Sequence, residues 1–146
     1  MKNKEDMLLR SLCECLPYGL VCAFYDEKNQ VYHDAVLITV TKAEFKDFGG
    51  TEVIDIIGQS TIVGDNTRYV YSLQNVKPYL RSMNTITEKE FDKLSEVALV
   101  DSEGMPGDIT EYVDWMDARF FDRRGLIGMG LAFEAPEGMY QFVNKS

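Results

Sequence analysis

Residues 123–140 of this chain read RRGLIGMGLAFEAPEGMY, with Gly125, Gly128 and Gly130 directly behind two arginines. Glycines that let a backbone close around an anion, beside cationic side chains, are the materials of a phosphate-binding loop. The order of the pieces decides against it. A dinucleotide fingerprint runs G-x-G-x-x-G between a strand and a helix, whereas this run is G-x-x-G-x-G and follows a helical pattern. No G-K-S or G-K-T occurs in the chain. Gly125 falls just past the last helical turn, where a C′ residue needs positive φ, and Arg123 and Arg124 complement the negative helix end. The segment reads as backbone punctuation, and no cofactor-binding residue is assigned.

His33 is the only histidine, so any triad or general-base scheme must run through it. Its chain neighbours Tyr32 and Asp34 point to the opposite side of a strand and cannot orient it. Cys22 could pair with His33 if their strands pair, but Cys22 alternates with Val21 and Ala23 as a small core residue does. Cys13, Cys15, Cys22 and His33 give C-x-C-x₆-C-x₁₀-H, which is no knuckle or finger spacing. No metal site and no catalytic residue is therefore assigned. Asp108, Glu111, Asp114, Asp117 and Asp122 cluster around one helix, and a charge run of this kind is ordinarily a solvated face. Trp115 and Phe121 fall off the buried stripe of that helix, beside Arg119 and Asp122. Trp115 is either the rim of the core or an exposed anchor, and Trp115, Phe121, Arg119 and Asp122 form the candidate interface.

With 15 lysines and arginines against 24 carboxylates, the net charge is −9, which disfavours non-specific binding to nucleic acid or anionic membranes. No apolar run approaches the ~20 residues of a membrane span, and the N-terminal residues read as an amphipathic helix rather than a leader. A cytoplasmic location with reduced cysteines is expected.

Several elements must position these residues. Leu8, Leu12, Cys15 and Leu16 repeat at helical spacing until Pro17 stops the helix. From Leu20 the period becomes two. Strands are expected at 20–26, 31–40, 51–57, 60–64 and 68–74, with Tyr69, Tyr71 and Leu73 on one side. A short helical turn is expected within 42–50, and Gly58 is read as a bulge or bend. Residues 77–80, KPYL, read as an extended exit from the sheet, since Pro78 keeps Lys77 out of helical space. Thr87 with Glu90 forms a capping box, Ile86 with Phe91 a staple, and Phe91, Leu94 and Ala98 a buried stripe. A second box, Asp108 with Glu111, opens a helix whose buried face carries Ile109, Tyr112, Val113, Met116 and Phe120. The sum is one α+β domain spanning 1–146. It has an N-terminal helix and an antiparallel sheet of about four to six strands, for which an SH3-like half-barrel is one arrangement. Two further helices and an extended C-terminal tail complete it.

Three blocks, CLPYG (15–19), VKPYLRSMNTITEKE (76–90) and RRGLIGMGLAFEA (123–135), resemble uncharacterised small proteins of gut Bacteroidales and their phages. Those carry RLPYGV, VKPYLRPMSSMTEEE and DYRGLIPMGLA, so the chain departs at Ser82 and Gly128, where they usually have proline. The resemblance implies a phage or mobile-element setting and carries over no functional residues. The expected function is a non-enzymatic protein-interaction module, such as a modulator of a host protein, with a protein partner or self-association. The alternatives are a small hydrolase using carboxylates with His33 or Cys22, and a structural subunit of a larger particle.

Overall fold

Helix α1 (Lys2–Cys15) forms where the spacing places it. Its buried positions Leu8, Leu12 and Cys15 enter the main core, while Cys13 points to solvent. The computed structural model describes residues 2–45, 51–98 and 109–140, with side chains over 4–41, 54–93 and 113–140. Pro17 ends α1 in a single 3-10 turn, and Gly19, at φ +83°, redirects the chain into the sheet.

Five strands follow: β1 (Val21–Asp26), β2 (Val31–Phe45), β3 (Thr51–Ser60), β4 (Arg68–Ser72) and β5 (Val76–Leu80). After helices α2 (Glu88–Ala98) and α3 (Ile109–Ala118), a two-residue strand β6 (Phe133–Glu134) completes the sheet. The order is β4-β3-β2-β1-β5-β6. Every pairing is antiparallel except β5 with β6, so the sheet is mixed rather than wholly antiparallel. The C-terminal segment is expected as an extended tail, and part of it is extended at Phe133–Glu134. There it supplies an edge strand, pairing with Tyr79 and Leu80 of β5.

Other local expectations change for similar reasons. VKPYL is a strand between β1 and β6, with Pro78 opposite Cys22. Residues 42–45 are strand rather than helical turn, paired with 51–54 of β3; the rest of the expected turn lies outside the described residues. Residues 61–64 are not strand, because Ser60 and Thr67 close the loop with a backbone bond. Ile62 and Val63 are left exposed. The bulge lies on β2 between Leu37 and Thr39, opposite the ladder position of Gly58.

Alternation divides the sheet into two faces. The inner face carries Cys22, Phe24, Ala35, Leu37, Ile56, Val76 and Leu80, which join α1 and Leu126 in the main core. Tyr69, Tyr71 and Leu73 pack against it as expected. The ring of Phe24 lies across Ala35 of β2 and reaches Gly58 of β3. A Cβ at Gly58 would sit 2.6 Å from its Cζ.

The Thr87–Glu90 capping box is formed. The Glu90 amide donates to Thr87 Oγ1 at 3.1 Å, and the Thr87 amide donates to Glu90 Oε1 at 3.0 Å. The expected staple and stripe are not formed at Phe91, which is 57% exposed, because Ile86 turns to the Trp115 cluster instead. Leu94, Ala98, Ile109, Tyr112 and the Asp108–Glu111 box lie outside the described side chains. Helix α3 ends seven residues before Gly125. Phe120 takes the left-handed C′ position at φ +61°, and its amide donates to the Asp117 carbonyl while that of Phe121 donates to Met116. This is the Schellman arrangement. A phenylalanine there is strained, by about 1–2 kcal/mol. Burial of its ring against Tyr140, at 4.2 Å, offsets the cost.

Candidate functional site

The nucleophile and base candidates are kept apart. Cys22 is wholly buried opposite Ala35, whereas His33 faces Phe24. Burial pushes the Cys22 thiol well above its usual range, and that of Cys15 to about 12, so neither is a ready thiolate. The His33 ring stacks on Tyr69 at 4.8 Å, with Nε2 3.6 Å from Asp26 Oδ2. Asp26 is the orienting carboxylate that chain neighbours could not supply. It reaches His33 diagonally across the β1–β2 pair, a relation visible only once the register is known. Asp26 is also tied into its own turn by the amides of Lys28 and Asn29. Among the described residues, no three His, Cys, Asp or Glu side chains meet in a way that could hold a metal.

Arg123 and Arg124 neither cradle an anion nor cap a helix. Both grip Glu14 of α1, Arg124 through two bonds of 2.8 and 2.7 Å, and Arg123 also reaches Asp117 of α3 at 3.0 Å. Hydrogen bonding from Arg124 holds the Glu14 carboxyl below its usual range, while burial raises that of Asp117. The pair of arginines is a clasp between the first and third helices.

Of the four residues expected at an interface, Trp115 and Phe121 are buried and Arg119 and Asp122 are half-buried. Trp115 is 8% and Phe121 2% exposed, so of the two roles open to Trp115 its burial fits the rim of the core. Their rings stack at 5.8 Å and 18°. The Arg119 guanidinium lies over the Trp115 ring at 4.5 Å, and Arg81 covers Phe121 at 4.3 Å. Glu90 closes this ladder, accepting two bonds from Arg81 at 2.7 and 2.6 Å and lying 3.6 Å from Arg119. Burial works to raise the Glu90 carboxyl. Bonds from Arg81 and the Thr87 amide outweigh it and hold the group below its usual value. Asp122 is occupied by the loop behind it, accepting the amides of Leu126 and Ile127 at 2.7 and 2.9 Å.

A cleft of about 530 Å³ opens between Arg81, Thr85, Thr87, Glu134, Pro136 and Tyr140. Its polar groups are largely engaged already. Arg81 holds Glu90 and the Thr85 carbonyl, and Thr87 caps α2. The Tyr140 hydroxyl takes the Val21 amide at 2.9 Å and donates to the Tyr79 carbonyl at 2.8 Å, bridging β1 and β5. Glu134 and Glu137 remain as rim carboxylates.

The outer face of the sheet is different. Tyr25 and Tyr32 pack at 4.8 Å, Tyr32 meets Phe133 edge-on at 5.2 Å, and Phe133 meets Tyr79 at 5.8 Å. Lys77 Nζ stands 5.0 Å over Phe133, and the Tyr79 hydroxyl donates to Asp34 at 2.7 Å. Burial and that bond to Asp34 push the Tyr79 phenol far up, so it stays a neutral donor. Ala23 lies buried beneath the cluster. None of the four rings belongs to either core cluster, Tyr32 keeps 46% of its area, and Asp34 is exposed. The group joins four strands, one of them more than fifty residues from the rest, so no local pattern announces it.

No helix among the described residues is long and apolar enough to cross a membrane. No family model, curated protein or solved structure matches the chain.

Proposed function

We propose that the chain is a non-enzymatic protein-interaction module and that its binding surface is the outer face of the sheet. The observation that carries this reading is the contiguous, solvent-facing cluster of Tyr25, Tyr32, Tyr79 and Phe133. Tyrosines give large contact area at small cost in side-chain entropy and are enriched where proteins meet. The rings are tilted by 50° and 84° to their neighbours, so they offer edges and hydroxyls rather than the parallel planes on which bases or sugars stack. With a net charge of −9, this favours a protein over a nucleic acid. The hydrolase alternative draws no support from an enclosed Cys22 or from a His33 packed on Tyr69.

The test is capture of proteins from cells of the native host by the tagged chain, further copies of itself included, beside Tyr32→Asp. The variant should fold normally by circular dichroism and lose what the native chain retains. Equal retention by both rejects the face as the binding surface.

A further inference from the structure

We infer that the outer face is built to take a second copy of this chain, related by a two-fold axis along β1. The inference rests on the reading of that face as a binding surface and adds the identity of its occupant. Ala23 of β1 pairs with Asp34 on one side and with Lys77 on the other. Strands lie about 4.8 Å apart, so a cation and a carboxylate stand in one row, about 10 Å apart and evenly placed about β1. A two-fold axis parallel to β1, midway between two facing sheets, exchanges the two sides of that row. Lys77 of each copy then lies over Asp34 of the other, and two ion pairs form at once. Self-complementarity of this kind is what an isologous interface requires.

The surrounding groups fit the same arrangement. The Lys77 ammonium stands 5.0 Å over Phe133 of β6, from where its flexible side chain must swing toward β1 to meet Asp34 of the other copy, and Tyr79 fixes the Asp34 carboxylate at the surface. Tyr25 and Tyr32 lie further along the same face and would supply the apolar contact between the sheets, which pack about 10 Å apart. Two more charged residues share this face: Arg68 on β4, two strands from the β2 strand of Asp34, is bonded to Gln59, and Asp55 stands on β3. A net charge of −9 opposes self-association on composition alone, so the attraction must come from local pairing.

Sedimentation equilibrium on the native chain, the single variants Lys77→Glu and Asp34→Lys, and the chain carrying both tests the inference. The native chain should dimerise below ~1 mM, a weak but specific association. Each single variant faces like charge with like twice and should dimerise at least about tenfold more weakly. An equimolar mixture of the two single variants, and the doubly exchanged chain, should regain dimerisation because opposite charges meet again. Asp34→Asn, which keeps an acceptor for Tyr79, should also weaken the dimer and covers the case in which Asp34→Lys disturbs the fold. A native chain that is monomeric at ~1 mM overturns the inference, as does failure of the mixture to recover. If the chain is monomeric while Tyr32→Asp still loses another captured protein, the second copy is rejected and the binding face stands.

Discussion

Two regions of the molecule are made of the same materials. The Trp115 ladder joins two aromatic rings, two arginines and a carboxylate. The outer face joins four aromatic rings, a lysine and a carboxylate. In the ladder Arg81 covers Phe121, Arg119 covers Trp115, and Glu90 meets both guanidiniums, although among the described residues the buried Trp115 Nε1 and Arg119 Nε find no hydrogen-bond partner. On the outer face the rings pack on one another but Tyr32 remains nearly half exposed. An aromatic ringed by charge is therefore no sign of an interface by itself. What distinguishes the two is whether the carboxylate meets the cations over the rings, as Glu90 meets Arg81 and Arg119, or a ring hydroxyl, as Asp34 meets Tyr79.

The largest expected effect breaks the closed region. Trp115→Ala should cost about 3–5 kcal/mol and lower Tm sharply, the cost of emptying a packed aromatic site. A loss under about 1 kcal/mol by urea unfolding would return Trp115 to the surface role its sequence neighbours suggest. Next comes Glu90→Gln, which leaves two guanidiniums poorly neutralised. The folded Glu90 carboxyl is held below its ordinary value of 4.5, so its stabilisation is complete above the unfolded value and is lost as pH falls through the folded one. The variant should be less stable near pH 7 and lose less of its stability on acidification. Parallel pH-stability curves for variant and native chain would remove Glu90 from this role.

Tyr140 stands between the regions, its ring on Phe120 and its hydroxyl on the Val21 amide and Tyr79 carbonyl. Tyr140→Phe should cost about 1–3 kcal/mol, because it strands a half-buried amide and a carbonyl. A neutral effect would mean that water takes the hydroxyl's place. The smallest stability effect belongs to the open region. Tyr32→Ser should change unfolding free energy by no more than about 0.5 kcal/mol while weakening association. A larger destabilisation would show that the outer cluster is a second core and weaken the contrast drawn here.

Much of the architecture could be read from local pattern. Leu8, Leu12 and Cys15 announced their helix, and Thr87 with Glu90 announced theirs, because both signals lie within one or two turns. Tyr69, Tyr71 and Leu73 fell on one side because a strand's period is fixed by its pleat. The errors lie where a distant segment decides. Phe133 and Glu134 form a strand only because β5 has a free edge, and Pro78 is tolerated inside the sheet although proline ordinarily marks its end. Trp115 and Phe121 looked exposed because the helix stripe leaves them outside it. Their cover, Arg81 and Glu90, comes from elements well upstream in the chain. The outer face was unreadable for the same reason, since Tyr25, Tyr32, Tyr79 and Phe133 become neighbours only through pairing.

Phe24 has a bearing on how this sheet is assembled. Its ring spans three strands and lies over the two smallest side chains in its path, Ala35 and Gly58. The space is so close that a Cβ at position 58 would meet two ring carbons at 2.6 and 2.7 Å. A slip of β3 by one residue would bring Ile57 or Gln59 beneath the ring and leave it no room to lie flat. The ring thus works as a gauge of strand alignment, because only the phasing that lines up alanine and glycine lets the first three strands close.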